Sequence, residues 1–209
     1  MVQIVSLPVE DFPIDGPRQK ELLQKISGSP LMAIRRAPVY PHGACYWNVD
    51  RHVKAYGGAS VQGWQINWLP NLYIEATHHA VWQSADGELI DLSMPSPEVA
   101  TKVGLTTFSK CLPSNLDLAW PVLIENRHVV LNQAKEVKET LAQYRINNRT
   151  NSKLRDEQKR IGWTWSVTTG WVANENRTAP LMQLSARLDK SYAELHQKRG
   201  ELKQKFFSE

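Results

Sequence analysis

Three residues in the first half of the chain have the types and the order for thiol chemistry: Cys45, then His79, then Asp91. A thiol attacks a carbonyl carbon only as its thiolate. It needs surroundings that lower its pKa, a base within reach, and a third group that holds the base in one tautomer. Cys45 follows Pro41, His42, Gly43 and Ala44, and it opens a run in which Cys45, Val49, Val53 and Tyr56 fall at helical spacing before Gly57 and Gly58 end it. Cys45 is therefore expected in the first turn of a helix. There, unpaired N–H groups and the helix dipole favour the thiolate, and the Cys45 amide itself can donate to an oxyanion. The chemistry these residues suit is acyl transfer, with Cys45 as nucleophile, His79 as base and Asp91 as orienter.

The elements that must position them follow from the apolar pattern. Extended segments are expected over 59–69, 71–83 and 88–92, and the Asp86-Gly87 step between the last two is a hairpin signal. His79 lies seven positions before that tip and Asp91 four after it. Bringing them side by side thus requires a longer loop or a bulge. His78 and His79 are adjacent and face opposite sides of a strand, and His79 is the one from which the His79-Ala80-Val81-Trp82 run extends. Trp47, Asn48, Trp64 and Trp82 are candidate substrate-lining residues, although aromatic side chains are also ordinary core material and an asparagine one turn into a helix can satisfy backbone groups.

Taken together, Cys45-Tyr46-Trp47-Asn48-Val49, His79-Ala80-Val81-Trp82 and Leu89-Ile90-Asp91-Leu92 resemble the Cys, His, Asp order of papain-like and transglutaminase-like cysteine amidohydrolases, including N-terminal glutamine amidases and bacterial deamidases. The resemblance covers about 50 of the 209 residues. It departs from the pattern in the extra valine between Ala80 and Trp82, and the oxyanion side chain that papain-like enzymes carry upstream of the cysteine has no counterpart we can place. The resemblance implies an α+β core in which a helix with an N-terminal cysteine packs against an antiparallel sheet. It also implies a glutamine deamidase or amidase acting on a protein or peptide through a thioester, or a protease or transglutaminase of the same superfamily, with no cofactor.

The bulk of the sequence agrees with a globular protein. Hydrophobic residues make up 42% and charged residues 22% of it, which excludes disordered and fibrous classes. No stretch approaches the roughly 20 apolar residues of a membrane helix. The N-terminus has no basic start or apolar run of a secretory signal, so a cytoplasmic protein, or one delivered from the cytoplasm, is expected. Residues 1–131 carry 10 basic and 12 acidic side chains, a net −2, whereas residues 132–209 carry 15 and 9, a net +6. We read the first segment as the α+β domain and the second as a helical extension packed on it. A stripe at Ala134, Val137, Leu141 and Tyr144 is interrupted by a polar stretch at 147–152, a tryptophan-rich patch follows, and Leu181, Leu188, Leu195 and Leu202 recur every seven residues in a last helix over 180–206. That seam suits packing within the chain, or a homodimer through the C-terminal helix. The basic excess reads as a solvated helix surface, not a nucleic-acid seat, since no nucleic-acid motif accompanies it. Two other classes stay open: a non-enzymatic binding protein with a basic helical interface, and a zinc protein using His42, Cys45, His78, His79 and Asp91, whose spacings lack the tight pairs of familiar zinc sites. Residues 1–40, punctuated by six prolines counting Pro41, read as a short helix over 17–26 and an irregular approach to Cys45.

Overall fold

A computed structural model describes residues 6–99, 104–112 and 115–207. It is a mixed α+β structure with a sheet-dominated core and, among the described residues, four helices, the last of them C-terminal. None of these helices is long and apolar enough to cross a membrane. The chain forms two compact units: one of Pro8–Leu118 with Ile124–Asn132, the other of residues 6–7, Ala119–Leu123 and residues 133–207.

The first unit is built on strands β1 (Glu10–Asp11), β2 (Met32–Tyr40), β3 (Ala59–Leu69), β4 (Tyr73–Gln83), β5 (Leu89–Ser93), β6 (Gly104–Lys110) and β7 (Arg127–Val130), with helices α1 (Gln19–Ile26) and α2 (Cys45–Tyr56). β3 and β4 form a long antiparallel hairpin, paired from Ala59↔Gln83 to Leu69↔Tyr73. Its tip is three residues long, and Asn71 takes the left-handed conformation (φ 63°) that such a turn requires. Around the upper half of the hairpin the order β3-β6-β2-β5-β4 returns to β3, so five strands close into a barrel. β1 and β7 pair with the lower half. Alternation sorts the side chains. Met32, Ile34, Val61, Val81, Leu89 and Phe108 pack together as one apolar cluster, while Trp64, Ile66, Ile74 and Ala76 turn the other way onto Phe12, Leu22, Ile26 and Val129. Gly63 belongs to the inward set: a Cβ there would stand 2.3 Å from the Phe108 ring and from the Ser109 carbonyl. Only glycine lets this ring fill the barrel.

One expectation for this unit is corrected. The proline-rich approach is not irregular, because Met32–Tyr40 is a strand that pairs with β6 through Arg36 and then shifts register on β5 before Tyr40. Pro38 falls within that shift, where its missing N–H removes no ladder bond. Strands β6 and β7 lie outside the segments expected to be extended.

The second unit contains α3 (Lys135–Arg160), a two-stranded ribbon of β8 (Thr164–Ser166) and β9 (Gly170–Val172), and α4 (Ala179–Phe207). α3 runs unbroken through 147–152, contrary to the interruption read from its polarity. Its polar side chains bond along the helix, as when Thr150 Oγ1 donates to the Ile146 carbonyl at 2.9 Å, and Asn147 is buried. The tail is not wholly helical either, since the tryptophan-rich patch is the β8–β9 ribbon, with Trp165 opposite Trp171. α3 and α4 run antiparallel: Gln143 Nε2 donates to Ser191 Oγ at 3.1 Å, and Lys198 and Lys205 reach Glu139 and Glu136. Of the heptad leucines, Leu181, Leu195 and Leu202 are buried and Leu188 is half-buried.

Candidate active site

α2 begins at Cys45 because the Gly43 turn (φ 83°) ends the approach from β2, and it stops where the Gly57 N–H caps the Val53 carbonyl. Ala44 stands at the N-cap with no side-chain cap, so the N-cap side chain takes none of the first-turn amides, which a helix leaves without intrahelical carbonyl partners. Asn48, buried one turn later, uses its amide nitrogen twice, donating to the Pro41 carbonyl at 2.9 Å and to Ser93 Oγ at 2.8 Å. It ties the loop before the cysteine to the end of β5.

The offset between His79 and Asp91 is met by the loop. β4 and β5 pair as Trp82↔Ile90 and Gln83↔Leu89, around a five-residue loop held by Ser84 N–H donating to the Glu88 carbonyl and by Gly87 at φ 85°. Carried further, this register sets Asp91 across from Val81, on the same face as His79 and diagonal to it. Beyond Ile90, however, the partners of β5 lie on β2, with Arg36↔Asp91 and Tyr40↔Ser93. His79 Nε2 lies 2.9 Å from Asp91 Oδ1, and the same oxygen accepts the Ser93 N–H at 3.1 Å. The Cys45 thiol stands close enough to the His79 ring and to the Ala80 backbone amide for both to favour its thiolate. Because Nε2 serves Asp91, the ring nitrogen left for sulfur is Nδ1.

The electrostatics of the three groups reinforce one another. Burial pushes the Cys45 thiol up, but the His79 charge and hydrogen bond and the Ala80 N–H outweigh it, and the thiol is held below its usual range. Burial likewise opposes a charged His79, yet Asp91 and Cys45 raise its pKa well above the ordinary 6.5. Asp91 is lowered: burial works against its charge, and His79, the Ser93 N–H and Arg36 overcome it. All three shifts favour a thiolate facing an imidazolium that is held by a carboxylate.

His78 has different company. Its Nδ1 meets the Tyr46 hydroxyl and its Nε2 lies 3.4 Å from Cys111 Sγ, while Trp64 packs edge-on against the ring. Burial and the neighbouring His79 lower its pKa to about 4, and burial raises the Cys111 thiol. The two cysteines thus sit in opposite environments.

The remaining sequence candidates disperse. Trp64 lies in the outer apolar cluster. Trp82 donates to the Gly57 carbonyl at 2.9 Å, and Trp47 donates to the Leu118 carbonyl at 2.8 Å from the same helical turn as Cys45. His42 is exposed, with Nδ1 3.3 Å from the Met94 carbonyl. Among the described residues, no three His, Cys, Asp or Glu side chains group so as to hold a metal ion. Sequence reasoning missed a polar cluster behind Asp91: Asp11, Arg36, Gln65 and Thr106. Charged and polar residues on a strand carry no signal of facing a barrel interior until the register is known. Comparison with family models, with curated proteins and with solved structures returns no match.

Proposed function

We propose that this protein is a cysteine-dependent amide hydrolase or acyl transferase of the papain-like or transglutaminase-like type, acting on a carboxamide of a protein or peptide, with hydrolysis of a glutamine carboxamide, as by a deamidase or amidase, as its reaction. The observation that carries this reading is that one histidine ring links a helix-start thiol to a buried carboxylate. The Cys45 thiolate attacks the carboxamide carbon, and the developing oxyanion is met by the N–H groups of the first turn of α2. The C–N bond then breaks as His79 Nδ1–H delivers its proton to the departing ammonia, leaving a thioester on Cys45. Neutral His79 next takes a proton from water. The hydroxide adds to the thioester, and the C–S bond breaks to release the acid and restore the thiolate–imidazolium pair. Throughout, Asp91 holds Nε2–H, so the ring meets both substrate and water in one orientation. Proteolysis follows the same steps with a peptide amine as leaving group.

The test is ammonia release from a panel of glutamine-containing peptides and denatured proteins, run beside the appearance of new amino termini. Ammonia without new termini supports deamidation, and new termini instead support the protease. Turnover by Cys45→Ser equal to wild type would remove the nucleophile and the proposal with it.

A further inference from the structure

Behind Asp91 the barrel interior holds polar groups that the acyl-transfer steps do not use. Arg36, buried in β2, makes a two-pronged bond to Asp11 on β1, Nη2 to Oδ1 at 2.8 Å and Nη1 to Oδ2 at 3.1 Å. Its Nε lies 4.0 Å from Asp91 Oδ2. Thr106 Oγ1 donates to Asp11 Oδ1 at 2.6 Å, and Gln65 Nε2 reaches both Thr106 Oγ1 at 3.2 Å and Asp91 Oδ2 at 3.5 Å. The Asp91 oxygens are therefore divided: Oδ1 serves His79 and the Ser93 amide, while Oδ2 faces Arg36 and Gln65.

We infer that the Asp11–Arg36 pair, bridged by Thr106 and Gln65, is a positioning device that holds Asp91 as a carboxylate turned toward His79, and through it sets the charge state of the Cys45–His79 pair. This rests on the reading of Cys45 as an activated nucleophile. The physical case is one of alternating charge. A carboxylate inside a barrel is costly unless a cation and hydrogen bonds meet it. Asp91 has the imidazolium on one side, but that cation exists only while Asp91 stays ionised. Arg36 supplies a second cation that no accessible pH removes, and Asp11 fixes the guanidinium through both prongs so that it cannot swing forward to displace His79. The order Asp11, Arg36, Asp91, His79, Cys45 runs minus, plus, minus, plus, minus. Removing the arginine charge leaves Asp91 easier to protonate, and a neutral Asp91 no longer supports the imidazolium or the thiolate.

Alkylation by iodoacetamide reads this without a substrate. The rate at each cysteine, followed by peptide mass spectrometry between pH 4.5 and 9, gives the Cys45 profile with Cys111 as internal reference. In wild type, Cys45 at pH 6 should outrun Cys111 by more than tenfold. A wild-type Cys45 no faster than Cys111 would overturn the nucleophile reading itself. In Asp11→Asn/Arg36→Gln, an amide pair replaces the ion pair at similar size and unchanged net charge. The acid limb of the Cys45 profile should move upward, and alkylation at pH 6 should fall about tenfold, equivalent to one unit of pKa, with Cys111 unmoved. Arg36→Lys, which keeps the cation, should retain more than half of the wild-type rate. A double variant that melts cooperatively yet keeps the wild-type Cys45 profile would show the pair to be structural only. Should that variant not fold, Gln65→Met/Thr106→Val loosens the same grip without touching a charge: a threefold fall at pH 6 supports the inference, and an unchanged profile overturns it.

Discussion

His78 and His79 are consecutive in β4 and belong to two different hydrogen-bond systems: His79 joins Cys45 to Asp91, whereas His78 joins Tyr46 to Cys111. Strand alternation alone separates them. The same step that sends one ring toward a buried carboxylate leaves the other without an anion, and their proton affinities part in opposite directions.

The first prediction is that separation itself. In histidine-detected NMR titration, one ring should titrate well above 6.5 and another at about 4. His79→Gln should delete the high transition and His78→Gln the low one. Two adjacent histidines both titrating near 6.5 would contradict the charge assignment of the whole site.

Stability should follow the same signs. His79 gains proton affinity on folding, so its contribution is complete below its unfolded value of about 6.5 and fades as pH rises through the folded value. His78 loses proton affinity, so its contribution is complete above about 6.5 and fades as pH falls toward 4. Urea unfolding from pH 4.5 to 8 should therefore show His78→Gln gaining on wild type as the solution is acidified. A constant difference across that range would refute the assignment for His78.

Replacing Asp91 tests charge against shape. Asp91→Asn should lose activity by up to the order of 10⁴-fold, because the amide can present the wrong donor to Nε2 of His79. It should also cost about 3 kcal/mol of stability, because His79 is left without its anion and Arg36 keeps only Asp11. Cys45→Ser, a near-isosteric change at a helix start, should lose turnover while its denaturation midpoint stays close to wild type. Turnover by Asp91→Asn equal to wild type would relegate Asp91 to a structural partner.

Packing inside the barrel gives a stability prediction independent of chemistry. Gly63→Ala places a methyl 2.3 Å from both the Phe108 ring and the Ser109 backbone oxygen, and only the ring can move. The cost should be about 3 kcal/mol. Gly63→Ala/Phe108→Leu should recover part of it, and a single variant as stable as wild type would mean that the ring does not fill the space beneath this glycine.

In the second unit, Leu202 is fully buried in the α3–α4 hairpin. Leu202→Ala should cost about 3 kcal/mol. If the leucines serve packing within the chain, sedimentation should give the same mass before and after substitution. A dimer lost on Leu195→Asp with the monomer still folded would assign the seam to a second copy.

Local pattern was enough for some of this architecture. The helical spacing from Cys45 to Tyr56 and the glycines after it define α2 because both signals are short-range, one the period of a helix and the other the backbone freedom of glycine. The alternating segments of β3, β4 and β5 were legible for the same reason, and so was the order of Cys45, His79 and Asp91. Other features have no local signature. β2 and β6 are strands because they find partners across the barrel, and Pro38 disguised the first until its register shift was visible. α3 continues through a polar stretch because Gln143 and Asn147 are buried in the helical hairpin, which no propensity reveals. The diagonal meeting of His79 with Asp91 depends on how β5 leaves β4 for β2. The burial of Arg36 behind them, with Asp11 paired to it, depends on closure of the sheet. Periodicity tells which face a side chain takes within its own element. Only the pairing of distant strands decides which other face it meets, and the charges of this site are set by that meeting.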